Sequence, residues 1–204
     1  METPIYHTSA TQHVTGKAIF VGDMSVAENT LFGRVVYSPH AKAKIKSYNL
    51  DKAKAIEGIV AILDWTAIPG DNQMNHLAND EPCLAKETVE CIGQAIFLIA
   101  AKTEQAAIEA ERVIEIEYEI LKPIVTIREA MEQNSRVAPA RKIENGNPDQ
   151  EFLQCQHILE GELITGGQEH WYLETQACVS VPQEDGGMKI YSSTQNPTET
   201  QFVV

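Results

Sequence analysis

Residues 92–120 read IGQAIFLIAAKTEQAAIEAERVIEIEYEI, and their patterning decides the fold class. Ile92–Ala101 is almost wholly apolar, as suits a strand covered on both faces, or on one face at a sheet edge. Thr103 can then cap a helix in which Ala106, Ala107, Ala110 and Val113 share one apolar stripe. After that helix Ile114, Ile116, Tyr118 and Ile120 alternate with Glu115, Glu117 and Glu119, the period-two signature of a half-buried strand. The three glutamates lie on its wet face and read as a solvated edge rather than a cation site.

Working outward, residues 31–120 read as two copies of this strand-helix-strand unit. The first copy runs from Ile45–Leu50 through a helix near Asp51–Ile56 to Ile59–Leu63, and another strand, Leu31–Ser38, precedes it. Such units imply helices packed on a sheet, and the expected class is α+β. Asp64-Trp65 and Ile68-Pro69-Gly70-Asp71-Asn72 open a polar surface excursion that runs to about Glu81. A short helix is expected after Thr126, through Ile127, Ala130 and Met131. The polar segment Gln133 to Gln150, with Asn145-Gly146-Asn147-Pro148, marks a domain boundary. Beyond it the pattern predicts antiparallel strands at His157–Ile164, Ala177–Val181 and Lys189–Ser193, the last two joined by a turn at Glu184-Asp185-Gly186-Gly187. Asn196 as N-cap, Pro197 at the first helical position and Glu199 three residues on form a helix start. A helix ending five residues later on Phe202-Val203-Val204 is too short to stand alone, since isolated helices below about 12 residues are marginal. The expectation is a chain that stops inside a second domain.

Bulk properties narrow the classes. The 204 residues suffice for one large or two small domains, and a hydrophobic share of 43% with 22% charged residues is that of a folded globular protein. A formal net charge of −13 with 16 Lys plus Arg argues against binding a phosphate backbone. The longest apolar stretch, Ala95–Ala101, is far below a membrane span, and Met1–Ala10 has neither the basic start nor the apolar core of a signal peptide. A cytoplasmic location is expected. Cys83, Cys91, Cys155 and Cys178 form no C-x-x-C pair and are expected to be buried, reduced thiols. The histidines do not join them at zinc-ligand spacing.

Several stretches resemble the molybdenum hydroxylases, the family of xanthine dehydrogenases and aldehyde oxidases, at the start of the large molybdopterin subunit. Val14-Thr15-Gly16-Lys17-Ala18-Ile19-Phe20-Val21-Gly22-Asp23 is similar to the family's opening V-T-G-x-A-x-Y-x-x-D, and Ser38–Ile45, Asp64–Asn72 and Pro123–Ile127 resemble later family segments. Gly166-Gly167-Gln168-Glu169-His170-Trp171-Tyr172-Leu173-Glu174 resembles G-G-Q-x-H-F-Y-L-E nearly letter for letter. Ser193-Thr194-Gln195-Asn196-Pro197 resembles the segment S-T-Q-N.

The resemblance implies an α/β hammerhead domain over residues 1–133, a linker over 134–150, and the incomplete start of a molybdenum-cofactor-binding α+β domain over 151–204. It implies that Gln195 approaches the molybdenum centre and hydrogen-bonds an oxo ligand, a task that suits a neutral amide donor. Gln168, His170 and Glu174 are candidates for shaping the site. On the residues alone, His170 reads as a hydrogen-bonded structural histidine near a sheet, Gly166-Gly167 as a tight turn without the helix N-terminus of a phosphate cradle, and Trp171 and Tyr172 as core packing. No catalytic residue is expected within the chain. The family's glycine-rich motif and its catalytic glutamate would lie beyond Val204, and iron–sulfur and FAD subunits or domains would carry electrons away. The implied setting is oxidative hydroxylation of a purine such as hypoxanthine or xanthine with molybdopterin as cofactor, completed by the rest of the molybdopterin subunit; the chain alone is expected to be inactive. Self-association through exposed apolar surface is a further expectation.

The alternative is a non-catalytic assembly or interaction module that pairs through a sheet edge or apolar patch. A hydrolase built on Glu174 and His170 lacks a nucleophile in a recognisable strained turn.

Overall fold

The computed structural model describes residues 6–74 and 79–204. In chain order its elements are α1 (Ala10–Val14), β1 (Phe32–Tyr37), β2 (Ala43–Asn49), α2 (Asp51–Lys54), β3 (Ile59–Leu63), β4 (Thr88–Val89), β5 (Ala95–Ala101), α3 (Glu104–Val113), β6 (Glu115–Ile120), α4 (Ile127–Glu132), α5 (Pro148–Phe152), β7 (Cys178–Pro182), β8 (Met188–Ser192) and α6 (Pro197–Val203). Part of the expected polar excursion, residues 75–78, lies outside the described residues, as does the very start of the chain. The structure is α+β, with antiparallel sheets throughout.

Two compact units emerge: one spans Val26–Pro139 with the last three residues, and the other joins the described residues up to Ser25 to Ala140–Gln201. The opening segment groups with the later unit.

Within the larger unit the two strand-helix-strand copies are β2–α2–β3 and β5–α3–β6. They do not form separate sheets. The last strand of the first copy pairs with the first strand of the second, giving sheet order β1-β5-β3, while the outer two pair in the sheet β4-β2-β6. Strand β5 is therefore central, flanked on both edges, with Arg34 and Ile62 both opposite Ile99 and Val35 and Leu63 both opposite Leu98. Its apolar composition follows from that position: Ile96, Phe97, Ile99 and Ala101 are buried. Helix α3 lays Ala106, Ala107 and Ala110 into the same core, and these small side chains let helix and sheet approach closely. Its start is fixed by Thr103, whose Oγ1 accepts the Ala106 N–H at 3.1 Å. Between α2 and β3 the chain turns at Gly58 with φ +90°, and a Cβ there would lie 3.5 Å from Ala106 Cβ. A side chain is disfavoured by backbone conformation at that point, where the Gly58 carbonyl also accepts the Lys102 N–H.

The acidic face of β6 is answered from across the sheet. Lys46 sits at an irregularity in the β2–β6 register and reaches Glu119 at 2.6 Å, Ser47 Oγ donates to Glu117 at 2.9 Å, and Lys52 reaches Glu115 at 2.5 Å. Glu117 and Glu119 thus find partners across the strand pair and Glu115 finds one on α2, while Glu115 and Glu117 stay exposed on the solvated face. The Lys46 ammonium holds the Glu119 carboxyl below its ordinary range, through a hydrogen bond and through charge.

The two sheets are linked by Tyr48. Its ring packs edge-on against Phe97 at 4.9 Å, and its hydroxyl donates to Asp64 Oδ2 at 2.9 Å. Asp64 also caps the turn Trp65–Ala67 by accepting the Thr66 N–H at 2.9 Å.

The later unit contains the antiparallel β7–β8 hairpin, with Cys178 opposite Ser192 and Pro182 opposite Met188. Gly186, at φ +83°, and the Asp185 carboxylate, which accepts the Gly187 N–H at 2.9 Å, close its turn. The strand expected at His157–Ile164 is absent: that stretch is exposed, irregular chain. Its alternation is strand-like, yet among the described residues no second strand takes up its backbone groups, and an unpaired strand is not a stable element. The expected burial of the cysteines also fails for three of four. Cys91 lies in a turn before β5, Cys155 just after α5 and Cys178 on the hairpin, all exposed and all free. Cys83 is half-buried, and desolvation raises its thiol pKa.

Truncating Phe97 to Ala removes the ring that fills the space between β5 and β2 and should cost about 3–5 kcal/mol, read from the urea unfolding midpoint of the chain. The Asp64 carboxyl is held below its ordinary range, first by the Thr66 hydroxyl, with help from the Thr66 N–H and the Tyr48 hydroxyl and against partial desolvation. A depressed folded-state value means the stabilisation is complete above the unfolded carboxylate range and is lost as pH falls through the folded value. Melting temperature followed through that acid range should therefore fall less steeply in Asp64→Asn than in the parent; identical slopes would remove Asp64 from the acid response.

Candidate functional site

Three sequence stretches meet in the later unit, and backbone and hydroxyl groups bring them together. Phe20 donates its N–H to Asp23 Oδ2 at 3.1 Å, closing the one-turn helix Val21–Asp23. That turn presents the Val21 N–H, which donates to Glu174 Oε1 at 2.9 Å across 153 residues of sequence. A carboxylate accepting a backbone N–H is among the stronger neutral-to-charged hydrogen bonds, so Glu174 ties the end of the Gly166–Glu174 stretch to the Val14–Asp23 stretch.

The second tie is Ser193. Its Oγ accepts the Ala177 N–H at 2.9 Å and donates to the Thr175 carbonyl at 2.9 Å, while its own N–H donates to the Ala177 carbonyl at 3.0 Å. The hydroxyl extends the β7–β8 ladder by one step and joins the residue after Glu174 to the start of Ser193–Pro197. Sequence reading singled out neither Ser193 nor Val21 for a role, because both act through partners remote in the chain.

Gln195 follows on an exposed bend between β8 and α6. The bend is held from both sides. Asn196 donates its N–H to Thr194 Oγ1 at 3.0 Å, and as N-cap its Oδ1 accepts the Glu199 N–H at 3.1 Å while its Nδ2 donates to Glu199 Oε2 at 2.9 Å. Thr200 Oγ1 lies 3.1 Å from Thr194 Oγ1. The Gln195 amide itself has no hydrogen-bond partner among the described residues. A primary amide so placed offers two N–H donors and an acceptor to an incoming group.

The other candidates are not drawn into this arrangement. Gln168 and His170 lie on exposed, irregular chain, and His170, read from sequence as a hydrogen-bonded structural residue, has no hydrogen-bond partner among the described residues. Gly166-Gly167 makes no turn. Trp171 is 90% exposed and Tyr172 46%, so the expected core pair is not core; Trp171 takes φ +50°, and the Tyr172 hydroxyl accepts from Gln176 Nε2 at 2.9 Å. No regular element orients this stretch against a core.

Among the described residues no group of three or more His, Cys, Asp or Glu side chains is placed to hold a metal ion. What the site offers is a neutral hydrogen-bond donor on a braced bend. A group held through hydrogen bonds suits these residues better than an ion ligated by side chains.

Comparison with known proteins finds relatives over nearly the whole chain. The family model described as aldehyde oxidase and xanthine dehydrogenase, a/b hammerhead domain, matches residues 15–122. A second, described as molybdopterin cofactor-binding domain, matches residues 128–204. Xanthine dehydrogenase/oxidase of Gallus gallus is 41% identical over 199 residues, covering 97% of this chain and 15% of that protein. Aldehyde oxidase 4 of Cavia porcellus is 40% identical over 203 residues, covering 98% and 15%. Among solved structures, quinoline 2-oxidoreductase from Pseudomonas putida 86 superposes with a TM-score of 0.77 at 18% identity, over 95% of this chain and 27% of that one, a likeness of fold. The chain thus spans about 15% of the length of these relatives, and with its hammerhead region and the cofactor-binding region that follows, it belongs to the aldehyde oxidase and xanthine dehydrogenase family.

Proposed function

We propose that this chain forms the hammerhead region and one wall of the cofactor site of a molybdenum hydroxylase, and that Gln195 is its contact with the cofactor. The observation that carries the reading is the Gln195 bend: an unpartnered amide held between the Ser193 bridge and the Asn196–Glu199 cap. When bound, a molybdenum–pterin group would supply the metal-centred oxygen transfer and accept the electron pair from the substrate. The chain's own residues bind and orient. Gln195 would hold the group by an amide N–H, adding no charge beside the metal. Ser193 and Asn196 keep the bend in place before the group arrives, so little ordering cost falls on binding. Glu174 positions the chain leading to Ser193 by fixing it to Val21. Gln168 and His170 would shape the site from an adjoining stretch.

The whole enzyme's reaction, on this reading, is oxidative hydroxylation of a purine such as hypoxanthine or xanthine, with the base that takes the proton supplied outside this chain. Relatives named for xanthine and relatives named for aldehydes match it about equally, at 41% and 40% identity, so the preference for purines rests on the sequence motifs. Iron–sulfur and FAD domains or subunits would receive the electrons, the rest of the molybdopterin subunit would complete the site, and the setting would be cytoplasmic. No helix among the described residues is long and apolar enough to cross a membrane. The second reading, an assembly module without chemistry, draws support from the many large apolar side chains left exposed in the later unit, among them Leu159, Leu163, Ile164 and Leu173.

Elemental mass spectrometry and pterin fluorescence on the purified 204-residue chain, with a xanthine oxidation assay, should find no molybdenum and no turnover; stoichiometric molybdenum with turnover would mean that the site is complete within these residues. In a holoenzyme containing this segment, Gln195→Ala should lower turnover by about 10–100-fold and leave hydrogen exchange at Val21 unchanged. Glu174→Ala should instead speed exchange at the Val21 amide by removing its acceptor. Faster Val21 exchange in the Gln195 variant would reassign Gln195 to a structural role.

A further inference from the structure

The structure assigns a spontaneous modification site to Asn145: its side chain cyclises onto the Gly146 nitrogen and converts to aspartate and isoaspartate. The reaction needs three things at once: an unhindered backbone nitrogen on the next residue, a free side-chain amide carbon, and local backbone freedom to bring them together. Asn145-Gly146 meets all three. Both residues are exposed on irregular chain, and nothing lies within 4 Å of where a Cβ on Gly146 would stand. Gly146 is at φ +78°, a region glycine enters and leaves without steric cost. Neither the Asn145 amide nor the Gly146 N–H has a hydrogen-bond partner among the described residues.

Six other asparagines among the described residues fail on one count or another, and the same structure says why. Asn147 and Asn196 each precede a proline, whose nitrogen has no proton to lose, and both side chains are occupied as N-caps, by Gln150 and Glu199. Asn72 is tied at both ends of its amide to the Leu84 backbone, at 2.7 and 3.0 Å. Asn134 is followed by Ser135, whose N–H donates to the Ala130 carbonyl at 2.8 Å, and Asn29 by Thr30, whose N–H donates to Ala27 at 2.9 Å. Asn49 Oδ1 accepts the Asp51 N–H at 2.8 Å. Asp185-Gly186 carries the related dipeptide, yet its Gly186 N–H is engaged by the Gln183 carbonyl at 3.1 Å and its carboxylate by the Gly187 N–H.

The step balances without any partner beyond water. Deprotonated Gly146 nitrogen attacks Asn145 Cγ, a carbon–nitrogen bond forms and ammonia leaves, giving a five-membered succinimide. Water then opens the ring at either carbonyl, yielding aspartate, or isoaspartate in which the chain runs through the former side chain. The product gains one negative charge and, in the isoaspartyl form, one backbone carbon just ahead of Asn147 and α5.

The test uses the 204-residue chain incubated at body temperature across mildly alkaline pH, followed by peptide mass mapping and labelling with an isoaspartyl carboxyl methyltransferase and radiolabelled methyl donor. The peptide holding Asn145 should gain the mass of an amide-to-carboxylate exchange an order of magnitude faster than any other asparagine peptide. Its rate should rise with pH, and methyl label should appear at that peptide. Asn145→Gln, whose cyclisation requires a six-membered ring, should lose both the early mass gain and the label while keeping the parent's circular dichroism. The proposal is overturned if another asparagine converts first, if the Asn145 peptide stays unchanged while others convert, or if Asn145→Gln labels as the parent does.

Discussion

Strand β5 imposes the constraint on which the larger unit is built. A strand flanked on both edges, with Ile96, Phe97 and Ile99 all buried, has its backbone groups taken up by neighbours and its side chains withdrawn from water. Both conditions favour burial only if β1, β3 and α3 arrive together. The hydrophobic term, roughly 25 cal/mol per Å² of apolar surface withdrawn from water, is concentrated in a few residues, and the alanines of α3 show the geometric corollary. Larger side chains on that face would push helix from sheet, so the helix contributes closeness rather than bulk.

The later unit works by a different physics. Few of its side chains are buried, and its order comes from directional bonds: a carboxylate on a distant N–H, a hydroxyl that both accepts and donates, and an asparagine-glutamate cap. Each such bond contributes only about 0.5–1.5 kcal/mol net, more when charged. Such a network fixes orientation better than it supplies stability.

How much of this was legible in the sequence follows from the range of each interaction. The run Ile59–Leu63, the Thr103 cap and the Glu115–Ile120 alternation are local signals, and the strands and helix lie where those signals put them. The exchange of strands between the two copies is invisible locally, because periodicity tells a strand's faces and not its neighbour. His157–Ile164 shows the converse, a strand-like pattern with no described strand beside it. In the candidate site, Gln195 was singled out only through motif resemblance, since an exposed amide has no periodic signature. The Glu174–Val21 bond, spanning most of the chain, had none either. The pairing of Lys46 with Glu119 across β2 and β6 was readable in principle, had the two strands been set against each other as an antiparallel pair.

The exchange of strands between copies also sets an order of events in time. Hairpin β7–β8 joins residues a short loop apart, and such closures take about 1–10 μs. Strand β2, by contrast, must wait for β6, with Asn49 opposite Glu115, and β3 must wait for β5. While the chain is being synthesised, the first copy is made in full and still has no stable sheet to join, its strand edges open to any other strand nearby. The quantity at risk during that interval is partner fidelity, and the charges of β2 that later meet β6 are, until then, what discourages the edge from pairing with a second copy of itself.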